Sequence, residues 1–148
     1  MSFDRFTYER ECLANGYCFI AGIDEVGRGP LAGPVVASSA MFSSEVIKAG
    51  LPNSLKDVND SKKLSEKKRE HLFDVLNDFD EVDFGISIIE SEEIDRINIL
   101  QATHKAMSKS LISLEHNPDH LLVDGRPVKS LGKSQSAIVK GDSLSYSI

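Results

Sequence analysis

The chain has 148 residues, of which 41% are hydrophobic and 27% are charged, values typical of one soluble globular domain. Its net charge of −6 argues against a protein that binds nucleic acid through bulk positive charge, but not against a site that binds phosphates through metal ions and a few lysines. Neither cysteine belongs to a metal-binding pattern, and the N-terminus is too charged for a signal peptide. No apolar run is long enough to cross a membrane. We therefore expect a reduced, cytoplasmic protein.

The predicted elements alternate as in an α/β fold. In chain order they are a helix over Asp4–Leu13, strands over Tyr17–Ile23 and Val35–Met41, a helix over Glu66–Asn77 capped by Ser65, a strand over Val82–Ile89, helices from Ser91 and over Ile99–Leu114, and strands over His120–Val123 and Ala137–Val139. This order favours a five-stranded mixed sheet flanked by helices. The helices are too few to cover both faces, so we expect one apolar face to stay open.

Carboxylates follow three of the five predicted strands. Asp24 and Glu25 follow the first strand, Asp124 follows the fourth and Asp142 follows the fifth. Ligands of α/β sheets collect outside strand ends, and clustered carboxylates repel one another unless a cation neutralises them. Oxygen ligands select Mg²⁺ or Mn²⁺, and two such ions about 3.5–4 Å apart can hold a scissile phosphate and activate water. Taken singly, each acidic residue is more often part of an ordinary turn, so spacing alone does not decide.

Five short blocks of sequence occur in a distinctive order. They are Gly22–Val36, Asn59–Leu64, Asn98–Thr103, Leu122–Gly125 and Val139–Ser143. This ordered set resembles the ribonuclease HII family. The Gly27-Arg28-Gly29-Pro30 continuation differs from the sister ribonuclease HIII family, whose block resembles Asp-Glu-x-Gly-Lys-Gly-Asp. The resemblance implies a ribonuclease H-like fold for residues 1–148, as one catalytic domain that lacks the C-terminal helices of the family.

The resemblance also implies an activity and a site. The activity is endonucleolytic hydrolysis of RNA in RNA–DNA hybrids, and of ribonucleotides embedded in duplex DNA, leaving 3′-hydroxyl and 5′-phosphate ends. The site is a catalytic, metal-binding set of four carboxylates, Asp24, Glu25, Asp124 and Asp142, that takes Mg²⁺ or Mn²⁺. Because neighbours on a strand face opposite ways, Asp24 and Glu25 can share one site only at the strand end, or if Glu25 contributes its backbone carbonyl.

Two further segments are implied to bind the substrate. In Gly27-Arg28-Gly29, glycine lets the backbone approach a 2′-hydroxyl, the group that distinguishes RNA from DNA. The turn Ser61-Lys62-Lys63 resembles the family's phosphate-contacting turn. Without the resemblance, a glycine-rich turn and a solvated helix start are the simpler interpretations. We expect a monomer whose partner is an RNA–DNA hybrid or ribonucleotide-containing duplex, with no membrane and no protein partner.

The chain departs from the family where it stops. Family members continue with further helices and a tyrosine that stacks on a deoxyribose. We therefore expect the short chain to be poorly stable alone, and its activity is in doubt. One alternative is a truncated, non-catalytic remnant that binds nucleic acid weakly or not at all. Another, a different metal nuclease such as a resolvase or transposase, is disfavoured by the Gly27-Arg28-Gly29 segment.

Overall fold

The computed structural model describes residues 4–26, 33–58 and 63–148, and a five-stranded sheet lies at its centre. The strands are β1 (Ile20–Val26), β2 (Val35–Phe42), β3 (Val82–Ile89), β4 (His120–Asp124) and β5 (Gln135–Ile138). Their order is β3-β2-β1-β4-β5. The pairs β1–β2 and β2–β3 are antiparallel, whereas β1–β4 and β4–β5 are parallel. The predicted mixed sheet is therefore confirmed.

Six α-helices surround the sheet in the described parts of the chain. They are α1 (Thr7–Ala14), α2 (Ser44–Ala49), α3 (Glu66–Asn77), α4 (Ser91–Ile97), α5 (Ile99–Ile112) and α6 (Gly141–Leu144). The predicted cap of α3 is present, because Ser65 Oγ accepts the Lys68 N–H at 3.1 Å. The prediction missed α2, a six-residue helix that is too short to show a clear period. None of the described helices is long and apolar enough to span a bilayer.

One face of the sheet packs closely on α5. Its buried side chains include Ile23 of β1, Ala37 of β2 and Ile89 of β3. At Gly85 of β3, an added Cβ would lie 2.2 Å from the Ser110 carbonyl oxygen, so only glycine permits this approach of helix and strand. The face thus forms a continuous apolar core with the residues Ala102, Ala106, Met107 and Leu111 of α5.

The opposite face is only partly covered. Near β4, α1 and the chain end cover it, and Cys12 packs there with Leu122 and Ile138. Towards β3 it is open, and Ile86 and Ile88 are 48% and 54% exposed. The face as a whole carries, in register across three strands, Gly22, Asp24 and Val26 of β1, Ala40, Ser38 and Val36 of β2, and Phe84, Ile86 and Ile88 of β3.

Candidate metal centre

Three carboxylates from different elements meet on this partly covered face. Asp24 lies in β1, Asp124 is the last residue of β4, and Asp142 lies in the first turn of α6. One oxygen from each carboxylate lies within 4.8 Å of the others, and all three residues are partly exposed. Parallel pairing of β1 with β4 places the first two on neighbouring strands, and the connection from β5 to α6 brings the third beside them.

Asp24 and Glu25 lie inside a strand, not after it. The prediction ended the first strand at Ile23, but β1 continues to Val26 because Glu25 and Val26 pair with β2. Neighbouring residues of a strand face opposite sides, so the Glu25 side chain is directed to the α5 face. Accordingly, the group of three carboxylates found among the described residues does not include Glu25.

Asp142 is held in a tight corner after β5. The prediction placed it directly after a strand, but β5 ends at Ile138 and Asp142 belongs to the single turn α6. The chain enters this turn through Lys140, whose φ is +57°. The Gly141 N–H donates to Asp124 Oδ1 at 2.8 Å, so the start of α6 is tied directly to another member of the group.

The electrostatics of Asp24 fit a cation site. The pKa of Asp24 is raised to about 7, chiefly by burial and in smaller part by the charges of Asp124, Glu25 and Asp142, whereas a hydrogen bond from the Glu25 N–H lowers it. That N–H lies 2.8 Å from Asp24 Oδ1. A divalent cation would relieve both the burial cost and the repulsion. The donors are all carboxylate oxygens, which suit Mg²⁺ or Mn²⁺.

Five of the six predicted substrate contacts fall outside the residues that the structure describes. These are Gly27, Arg28, Gly29, Ser61 and Lys62. The sixth residue, Lys63, is exposed shortly before α3. Lys68, in the first turn of α3, pairs with Asp57 at 2.8 Å between Nζ and Oδ2. The substrate contacts stay predictions.

The burial of one further carboxylate, Glu9 of α1, was not predicted from the sequence. Glu9 is fully buried, although an acidic residue in a short surface helix is ordinarily exposed. Burial raises the pKa of Glu9, and hydrogen bonds from Ser147 and Ser145 act in the opposite direction. Only the tertiary contacts of α1 with the end of the chain show this residue to be unusual.

The family model described as Ribonuclease HII matches residues 21–148. The chain belongs to the ribonuclease HII family. It is 50% identical over 141 residues to the ribonuclease HII of Clostridioides difficile (strain 630) and 48% identical over 141 residues to that of Acetivibrio thermocellus. Each match covers 95% of this chain and 52% of the relative, so the chain spans about half the length of these ribonucleases HII.

Solved structures support the same fold. The ribonuclease H2 from Pyrococcus horikoshii OT3 is 30% identical, with a TM-score of 0.69, over 86% of this chain and 65% of that one. Bst-RNase HIII in complex with Mn²⁺ has a TM-score of 0.59 at 18% identity, over 76% of this chain and 38% of that one. The second likeness concerns the fold alone. Together with the sheet order, these structures confirm the predicted ribonuclease H-like fold.

Proposed function

We propose that the protein is an endonuclease that hydrolyses the RNA strand of RNA–DNA hybrids and ribonucleotides embedded in duplex DNA. In this reaction a water oxygen bonds to phosphorus and the bond from phosphorus to the 3′-oxygen breaks, which leaves 3′-hydroxyl and 5′-phosphate ends. The observation that carries the proposal is the meeting of Asp24, Asp124 and Asp142 in a chain of this family. We expect the protein to act in the cytoplasm as a monomer.

The proposed cofactor is Mn²⁺ or Mg²⁺, held by Asp24, Asp124 and Asp142. Glu25 is the fourth predicted member, and since its side chain is directed to the α5 face, we propose that it contributes through its backbone carbonyl. Support for the metal comes from the Mn²⁺ complex of Bst-RNase HIII and from the oxygen-only donor set. Two such ions, when bound, would supply an activated water and neutralise charge on the phosphate.

A raised pKa and two hydrogen bonds organise the carboxylates of this site before any cation binds. With a pKa of about 7, the Asp24 carboxyl is partly protonated at neutral pH, which limits the repulsion among the three carboxylates. Asp124 is oriented by the Gly141 N–H and Asp24 by the Glu25 N–H. Each bond fixes one carboxylate oxygen, so Asp24 and Asp124 are oriented in advance of ligand binding.

We further propose that Gly27, Arg28 and Gly29 contact the ribose and that Ser61, Lys62 and Lys63 contact phosphates of the substrate. The support is the family membership, because these positions belong to two of the matched sequence blocks. Backbone groups beside glycine can bind a 2′-hydroxyl, and lysines hold the phosphate backbone without reading base sequence.

The alternative is a remnant without catalytic activity. It is favoured by the half-exposed side chains of Ile86 and Ile88, which lie on the same face of the sheet as the carboxylates. An open apolar face of this kind lowers stability and promotes association. The proposed enzyme binds a divalent metal and cleaves the substrate, whereas the remnant does not cleave it. One experiment that measures metal binding and cleavage therefore separates the two proposals.

The deciding experiment combines metal-dependent melting with cleavage of duplex DNA that carries one ribonucleotide. A metal that binds only the folded state at 100 times its dissociation constant stabilises it by about 2.7 kcal/mol. We expect Mn²⁺ or Mg²⁺ to raise the melting temperature and to support cleavage, and Asp124→Asn to abolish most of both effects. Asp74→Asn, which changes an exposed carboxylate on α3, is the matched control and should retain both.

Three results would decide against parts of the proposal. An equal metal shift in Asp124→Asn and Asp74→Asn would remove Asp124 from the site. A metal shift without cleavage by the unsubstituted chain would favour the remnant. Cleavage of a DNA duplex that contains no ribonucleotide would exclude the proposed substrate.

A further inference from the structure

The carboxylate of Glu9 makes three hydrogen bonds with the end of the chain. Its Oε2 accepts from Ser145 Oγ at 3.0 Å, from the Ser147 N–H at 3.2 Å and from Ser147 Oγ at 2.8 Å. Its Oε1 is buried and has no hydrogen-bond partner among the described residues. Glu9 is 0% exposed and precedes residue 21, where the match to the family model begins. These contacts fix residues 145–147 against α1.

The segment held by Glu9 follows immediately after α6, the helix that carries Asp142. The Ser145 N–H donates to the Gly141 carbonyl at 2.8 Å, which closes the single turn of α6. Two residues later, the backbone of Ser147 lies against β1, where a Cβ on Gly22 would be 2.2 Å from the Ser147 carbonyl carbon. Gly22 is two residues before Asp24 on the same face of the strand. Residues 145–147 are therefore fixed between α1 and the strand that carries Asp24.

The helix α6 is too short to hold its own position. It contains four residues, and isolated helices of this length are unstable in water. Its first residue, Gly141, is held by Asp124 Oδ1, and the residues after its last turn are held by Glu9. Asp142 lies between these two attachments. The distances from Asp142 to Asp24 and to Asp124 therefore depend on both attachments of α6.

We propose that Glu9 is a positioning residue of the metal centre: by holding Ser145 and Ser147, it keeps Asp142 within reach of Asp24 and Asp124. This inference rests on the proposed function, in which Asp142 is a metal ligand. Loss of the hydrogen bonds of Glu9 releases one end of α6, lets Asp142 move away and weakens the binding of a divalent cation. Glu9 itself touches neither metal nor substrate.

The test compares Glu9→Leu with Glu9→Gln in the complete 148-residue chain, using Mn²⁺ alone as the probe in calorimetric titrations. Leucine removes all acceptors, and we expect the dissociation constant for Mn²⁺ to rise about tenfold, the lower end of the range for partners that orient metal ligands. Glutamine keeps an oxygen for Ser145 and Ser147 but adds a buried amide. It should lower the melting temperature yet leave Mn²⁺ affinity close to that of the unsubstituted chain.

The matched control is Cys12→Ala, which lies one turn further along α1. Cys12 packs in a cluster with Ile20, Leu122 and Ile138, so its truncation loosens α1 while the three hydrogen-bonding groups of Glu9, Ser145 and Ser147 remain in place. We expect Cys12→Ala to lower the melting temperature and to retain Mn²⁺ affinity. Unchanged affinity in a folded Glu9→Leu chain, or an equal loss in Cys12→Ala, would overturn the proposal. If Glu9→Leu does not fold, Ser147→Ala, which removes the shortest of the three bonds, takes its place, and the same outcomes decide.

A readout without metal separates this proposal from the proposed function. Hydrogen exchange of the Gly141 amide reports on the bond to Asp124 at the start of α6. Exchange should be faster in Glu9→Leu than in Glu9→Gln or Cys12→Ala. If the unsubstituted chain binds no Mn²⁺, the metal centre fails, but faster exchange in Glu9→Leu alone still supports the hold of Glu9 on α6. Equal exchange in all variants overturns that hold.

Discussion

The two faces of the sheet are formed by the same strands but differ in their packing and in the residues they carry. The face under α5 is continuously apolar, and Ile23, Ala37 and Ile89 are almost completely buried there. The other face gathers three carboxylates around β1 and β4 and leaves Ile86 and Ile88 half-exposed on β3. Burial of apolar surface stabilises the first face, whereas burial and mutual repulsion of carboxylates destabilise the second. The apolar core that stabilises the fold and the candidate metal centre therefore lie on opposite faces of one sheet.

The largest expected effect comes from neighbouring isoleucines of β3 that belong to opposite faces. Ile89 is 1% exposed within the α5 core, and Ile89→Ala should lower the free energy of unfolding by about 2–5 kcal/mol, since it leaves a cavity. Ile88 is 54% exposed, and Ile88→Ala should cost less than about 1 kcal/mol, mainly through lost strand preference. Urea unfolding measures both values. Similar losses would mean that the two faces are packed alike.

A smaller effect concerns the destabilising charge of the carboxylate face. A carboxyl whose folded pKa is raised contributes stability that is complete below its unfolded pKa and is lost as the pH rises through the folded value. For Asp24 this window runs from 3.8 to about 7. Without divalent cations, Asp24→Asn should therefore be more stable than the unsubstituted chain at pH 8, on the order of 1 kcal/mol after solvent screening, and this advantage should vanish at pH 3.5.

Thermal melting in a metal chelator at several pH values checks this prediction. Glu9 has a raised pKa as well and adds a slope of the same sign, so part of the pH dependence should remain in Asp24→Asn. Adding Mn²⁺ at pH 8 should reverse the order, because the unsubstituted chain gains the binding energy of the cation. A pH dependence left unchanged by the substitution would contradict the raised pKa of Asp24.

The smallest effect on stability is expected at the open part of the same face. Ile86→Thr and Ile88→Thr keep a β-branched side chain, so each should change the free energy of unfolding by less than about 0.5 kcal/mol. Together they should reduce self-association in sedimentation experiments, because they break a contiguous apolar patch. Ile112→Thr is the control, since Ile112 is 77% exposed on α5, away from that face. Equal effects on association would show that the patch is not special.

Features that depend on local sequence pattern were predicted correctly. Alternating residues over Val82–Ile89 and the cap at Ser65 were enough to place β3 and the start of α3, because strand period and helix capping act between near neighbours. The ordered blocks also predicted the fold and the four carboxylates. The structure brings together the side chains of Asp24, Asp124 and Asp142, and their role as metal ligands stays a prediction.

The arrangement around those carboxylates depends on contacts between residues that are distant in sequence. The length of β1, and with it the face of Glu25, follows from pairing with β2, which no local pattern in β1 encodes. The helical setting of Asp142 and the burial of Glu9 depend on contacts between the two ends of the chain, 136 and 138 residues apart. Whether a polar side chain is exposed or buried depends on what packs over it, and that neighbour is distant in sequence.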